Sequence, residues 1–84
     1  VPALTEERRK EYAKLLHKMA EEGRISIRHA RRITREELHA KVKEHEVAED
    51  DARKREEQLE KLTHEYQAKI DELLKHKEAE VMAI

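Results

Sequence analysis

Apolar side chains recur every three or four residues along two long stretches of this chain, and few residues interrupt them. At 100° per residue, Tyr12, Leu15, Leu16, Met19, Gly23, Ile27, Ala30 and Ile33 fall on one arc. Ala52, Leu59, Leu62, Tyr66, Ile70, Leu73 and Val81 form a second stripe, interrupted by Arg55 and Lys77. Such spacing predicts two amphipathic helices. Val1–Leu4 reads as an extended lead-in, because Pro2 biases its predecessor away from helix. Thr5 is the expected N-cap, with Glu6 and Glu7 suited to the positive end of the helix dipole. The first helix is therefore expected over about 5–46. Gly23 lies inside it, at a cost of roughly 1 kcal/mol relative to alanine.

No glycine or proline marks the second break. The cue is Glu49-Asp50-Asp51, an acidic triplet that belongs at a helix N-terminus. We expect a turn at about 47–48, with Ala48 at the N-cap and Val47 as a staple, and a second helix over about 49–82. One unbroken rod is the competing reading, but it leaves the apolar stripe exposed. The expected fold is all-α: a long antiparallel helical hairpin packed at a shallow angle. Two helices close a core poorly. A third is expected on the open side, from a missing part of the protein or from a partner chain.

Composition supports long helices. Of the 84 residues, 46% are charged and 2% are aromatic, with one glycine and one proline. Disorder competes at that charge content, but the apolar periodicity argues against it. With no cysteine, disulfides and thiolate metal sites are excluded. No apolar run approaches the ~20 residues of a membrane span, and no signal-peptide core is present. The chain begins with Val rather than Met, as a fragment or a processed product would.

Charge is distributed unevenly. Net charge is −1, yet residues 1–46 carry 12 basic against 9 acidic side chains, and residues 47–84 carry 7 against 11. Residues 24–35 hold five arginines and no acid. Arg24, Arg28, Arg31 and Arg35 lie within about 60° of one another on a helix, with Arg32 on the shoulder. Their direction is about a third of a turn from the apolar arc, which predicts a solvent-accessible face. Stacked like charges weaken a helix. Arginine, chosen here over lysine throughout, suits bidentate phosphate contacts. Two readings follow: a phosphate-binding face, or a solvated charged face paired with acids on the second helix. Without interleaved aromatics, backbone or shape recognition of a structured nucleic acid fits better than base stacking.

Catalytic chemistry is not indicated. His45-Glu46 and His64-Glu65 are each followed by Glu49 or Ala68 where a zinc-protease helix needs its second histidine. Ser26 is the only serine and has no evident triad, and there is no Gly-rich phosphate loop. We expect no enzyme, no metal and no cofactor.

Several segments together resemble a known family. They are Leu4-Thr5-Glu6-Glu7-Arg8-Arg9-Lys10, the run Arg24-Ile25-Ser26-Ile27-Arg28-His29-Ala30-Arg31-Arg32, Glu49-Asp50-Asp51, Lys61-Leu62-Thr63, Ile70-Asp71-Glu72-Leu73-Leu74 and Lys77-Glu78-Ala79-Glu80. In order and spacing they look like the C-terminal half of bacterial ribosome recycling factor, over essentially the whole chain. The resemblance implies a three-helix bundle, with a small β-rich domain inserted between its first and second helices. This chain looks like the second and third helices only. It also implies binding to large-subunit ribosomal RNA, recycling of post-termination ribosomes with elongation factor G, and work in the cytoplasm or, in a eukaryote, an organelle. By the motif match, Arg28, Arg31 and Arg32 are the implied RNA contacts, with Arg24 and Arg35 extending the stripe. His29, Ala30, Ala48, Lys54 and Arg55 depart from the family's usual residues. The alternative function is a structural coiled-coil module that pairs with a protein helix.

Overall fold

A computed structural model describes residues 5–83, so the lead-in expected at Val1–Leu4 lies outside the described residues. Two helices, α1 (Glu6–Lys43) and α2 (Glu49–Ala83), run antiparallel in a rod of 63 × 15 × 14 Å. Thr5 caps α1: its backbone is extended, and its hydroxyl accepts a 3.2 Å hydrogen bond from the Arg8 N–H. Glu6 and Glu7 occupy the first turn, Lys41 and Lys43 the last, so both ends of α1 complement its dipole.

The first helix stops earlier than the expected residue 46. His45 adopts a left-handed φ of 62°. Its N–H donates to the Val42 carbonyl (3.0 Å), and the Glu46 N–H donates to the Lys41 carbonyl (2.8 Å). Those paired bonds form a Schellman cap, which usually places glycine where His45 stands. The Val47 N–H also reaches the Lys41 carbonyl, at 3.3 Å. The reversal therefore uses residues 44–48, broader than the 47–48 expected from sequence, because the cap itself consumes backbone. Ala48 offers no side-chain cap, but its carbonyl accepts the first bond of α2, from the Ala52 N–H (2.9 Å). Glu49, Asp50 and Asp51 fill the first turn of α2.

The seam between the helices is thin. Only Leu38 and Ala52, each 7% exposed, are buried among the described residues. Leu16, Ile27, Val42, Leu59, Ile70, Leu74 and Val81 are half-buried along it, with Ala13, Ala20 and Gly23. A Cβ on Gly23 would lie 3.1 Å from the Ile70 Cδ1, so the glycine serves a close helix–helix approach rather than a turn.

The expected apolar arcs thus divide in two. Part of each meets the partner helix. Tyr12, Leu15, Met19 and Ile33 of α1, and Leu62, Tyr66 and Leu73 of α2, remain 40–58% exposed. Ala30 is exposed as well. These side chains form a flank beside the seam. A groove of about 310 Å³ runs along it, lined by Leu16, Met19, Ala20, Gly23, Ile70, Leu73, Leu74 and Lys77. Lys77, an apparent interruption of the stripe, stands at that groove's rim and pairs with Glu80 (3.3 Å). No described helix is long and apolar enough to cross a membrane.

Candidate nucleic-acid interface

The five arginines between residues 24 and 35 sit just past the midpoint of α1, where the helix is continuous. A continuous helix fixes their spacing, and Arg24 to Arg35 covers about 16 Å along the axis. Arg28, Arg31, Arg32 and Arg35, with Ile25 and His29, line a shallow open depression of about 400 Å³. The expected solvent-facing direction holds for Arg28, Arg32 and Arg35. Arg24 and Arg31 are instead half-buried against α2. A third of a turn from the seam is close enough for long side chains to lie across its edge.

Carboxylates meet four of the five. Arg24 donates to Asp71 Oδ1 of α2 at 2.6 Å and to Glu21 Oε2 of α1 at 3.3 Å. Arg28 donates to the other oxygen of Glu21 at 3.0 Å. Arg31 donates to both oxygens of Glu60, each at 3.3 Å. Arg35 Nε lies 3.7 Å from Glu56 Oε1, an oxygen that also contacts His39 Nε2. Arg32 has no carboxylate partner among the described residues. Its guanidinium lies 3.0 Å from His29 Nδ1, a ring nitrogen that accepts when the ring proton sits on Nε2.

The electrostatics grade along the stripe. Arg24, whose side chain is 25% exposed, holds α2 through Asp71. That hydrogen bond is the leading reason why its pKa is raised. Glu21 bridges two guanidinium groups. Its carboxyl is held below its ordinary value, chiefly by the hydrogen bond from Arg28 and next by that from Arg24. The remaining pairs are solvated, with side chains 31–53% exposed. Pairs of this kind are weak and readily exchanged for another anion.

Pairing with acids of the second helix is one of the two readings of this stripe, and the structure shows it for Arg24, Arg31 and Arg35. Sequence alone did not single out Glu21, Glu56, Glu60 or Asp71. Glu21 carried a signal, since it precedes Arg24 by three residues and Arg28 by seven on the same face. The three α2 acids had none, because their partners depend on hairpin register. Among the described residues, no group of three or more His, Asp or Glu side chains is placed to hold a metal ion.

A face of this kind can grip anions spaced along a line. Comparison with known proteins gives it a context. The sequence model of the family described as "Ribosome recycling factor" matches residues 1–82. A ribosome-recycling factor of Acidothermus cellulolyticus is 50% identical over 84 residues, which cover all of this chain and 45% of that protein. Those of Saccharopolyspora erythraea and Rickettsia bellii are 51% and 49% identical, with the same coverage. The chain spans about half the length of the curated relatives it matches.

Proposed function

This chain belongs to the ribosome recycling factor family, and on that premise we propose that its α1 arginine face binds large-subunit ribosomal RNA. In the longer protein, this module serves to recycle post-termination ribosomes together with elongation factor G. One observation carries the reading. A 12-residue, acid-free segment places Arg28, Arg31, Arg32 and Arg35 around one open depression. The carboxylates around it do not argue against a phosphate ligand. Each is solvated, and a phosphate offers the same guanidinium groups equivalent charged acceptor oxygens. Arg32 surrenders no carboxylate on binding, so it leads the contact. Arg24 is committed to Asp71 and contributes least.

The apolar flank supports a companion reading. The groove between Leu16, Met19, Ile70 and Leu73 receives a further helix, supplied by the longer protein, which completes a three-helix bundle. A coiled-coil module pairing with another protein uses the same flank but leaves the arginines idle.

Binding to large ribosomal subunits across a salt series separates these functions. Arg28→Ala combined with Arg31→Ala should weaken binding roughly tenfold near 0.1 M salt. It should also reduce the log–log salt slope by about 1.5, the loss of two phosphate contacts. An unchanged slope would remove the stripe from the interface. A purely structural module would instead self-associate with concentration and ignore the arginine changes.

A further inference from the structure

The arginine face carries its own anions. Glu21 spans Arg24 and Arg28 with one oxygen to each, and Glu60 places both of its oxygens on Arg31. A phosphate approaching Arg24, Arg28 or Arg31 meets a guanidinium that already holds a carboxylate, whereas Arg32 holds none among the described residues. We propose that Glu21 and Glu60 are positioning residues that set a threshold for RNA binding, holding the arginines in register and competing with any phosphate that arrives singly. The inference rests on the reading of this face as a phosphate-binding surface, and extends it to how the surface discriminates among polyanions.

Competition follows from stoichiometry. One anion that displaces one carboxylate exchanges a charge-assisted hydrogen bond for its equivalent, with little gain. A structured RNA backbone that presents several phosphates along about 16 Å displaces the carboxylates together, and each phosphate neutralised releases counterions. The face therefore favours a densely phosphorylated, correctly spaced surface over a scattered or mobile one. Specificity here comes from an element that penalises the wrong partner as well as from attraction to the right one. The near-neutral charge of the chain fits this arrangement, since a bare five-arginine stripe would bind any nucleic acid.

Glu21 permits a clean test. Its partners lie on its own helix, and the adjacent Glu22 is also exposed but makes no ion pair among the described residues. Glu21→Gln and Glu22→Gln change net charge identically, one residue apart. Affinity is measured by fluorescence anisotropy on a short RNA duplex of unrelated sequence, and by sedimentation with large ribosomal subunits. Glu21→Gln should tighten the duplex about three- to fivefold while changing subunit binding less, and Glu60→Gln should act in the same direction. Glu22→Gln should leave duplex affinity near its starting value. Adding Arg28→Ala should abolish most of the Glu21→Gln gain, a coupling that a merely structural role would not produce. Helical content by circular dichroism confirms that each variant is folded. Equal tightening by Glu21→Gln and Glu22→Gln, or none by either, overturns the threshold while leaving the phosphate-binding surface in place. Indifference to Arg28→Ala with Arg31→Ala overturns both.

Discussion

The seam and the flank of this hairpin divide its apolar residues in an unexpected way. The seam, where the two helices meet, uses small side chains at Ala13, Ala20, Gly23 and Ala52, with leucines and isoleucines between them. The flank, which faces outward, holds both tyrosines and the bulky Leu15, Met19, Leu62 and Leu73. Small residues let two helices approach closely, while large ones reach outward to a further layer. A hairpin optimised to stand by itself would reverse that allocation. That allocation supports the proposed bundle, in which the pair of helices forms one wall of a larger core.

The sharpest way to break that contrast is to truncate one leucine on each side. Leu38→Ala, in the seam, should cost about 2–3 kcal/mol in urea denaturation. Leu73→Ala, 57% exposed on the flank, should cost under about 1 kcal/mol in this chain. In a protein of the relatives' full length, the Leu73 penalty should rise to match that of Leu38. Equal penalties in the 84-residue chain would erase the distinction between seam and flank.

A smaller change concerns the cap that brings the two helices together. His45 holds a positive φ without being glycine. His45→Gly should therefore stabilise the hairpin by about 0.5–1 kcal/mol, and His45→Val should destabilise it by a similar amount or more. Thermal melts followed at 222 nm would read both.

The smallest effect is electrostatic and lies on the arginine side of the seam. Glu21 has a lowered carboxyl pKa, so its pairing contributes fully above the ordinary carboxylate value. That contribution is lost as pH falls through the lowered value. A carboxyl NMR titration should show the Glu21 midpoint moving up in Arg28→Ala, and by less in Arg24→Ala. The order follows from the hydrogen bond of Arg28 being the leading cause.

Sequence made the two helices legible because their signals are local. Thr5 caps through its own side chain, and Glu49-Asp50-Asp51 announces a helix start without reference to anything distant. The end of α1 was less legible, since a Schellman cap closed by histidine lacks its usual glycine mark. Helical periodicity gathered seam and flank into one arc. It measures direction around an axis and cannot say that a second helix covers only part of that arc. Hence Leu73, on the expected stripe, is 57% exposed, while its neighbour Leu74, off that stripe, is half-buried at the seam. The arginines were visible as a stripe for the same local reason. Their partners on α2 were not, because Arg31 and Glu60 are 29 residues apart and meet only through the turn.

That turn does more than reverse the chain. Arg24 with Asp71, Arg31 with Glu60, Arg35 with Glu56 and His17 with Glu78 all pair residues nearly equidistant from Glu46 and Val47. The Schellman cap is thus the origin from which both arms are counted. One residue inserted into either arm would advance everything beyond it by about 1.5 Å and rotate it by about 100°. Every charge pair farther along would fall out of phase. Length changes that keep the pairing must add nearly whole numbers of helical turns, about seven or eleven residues, to both arms at once. The hairpin is in this sense quantised: point substitutions can vary it residue by residue, but its length can change only in matched steps.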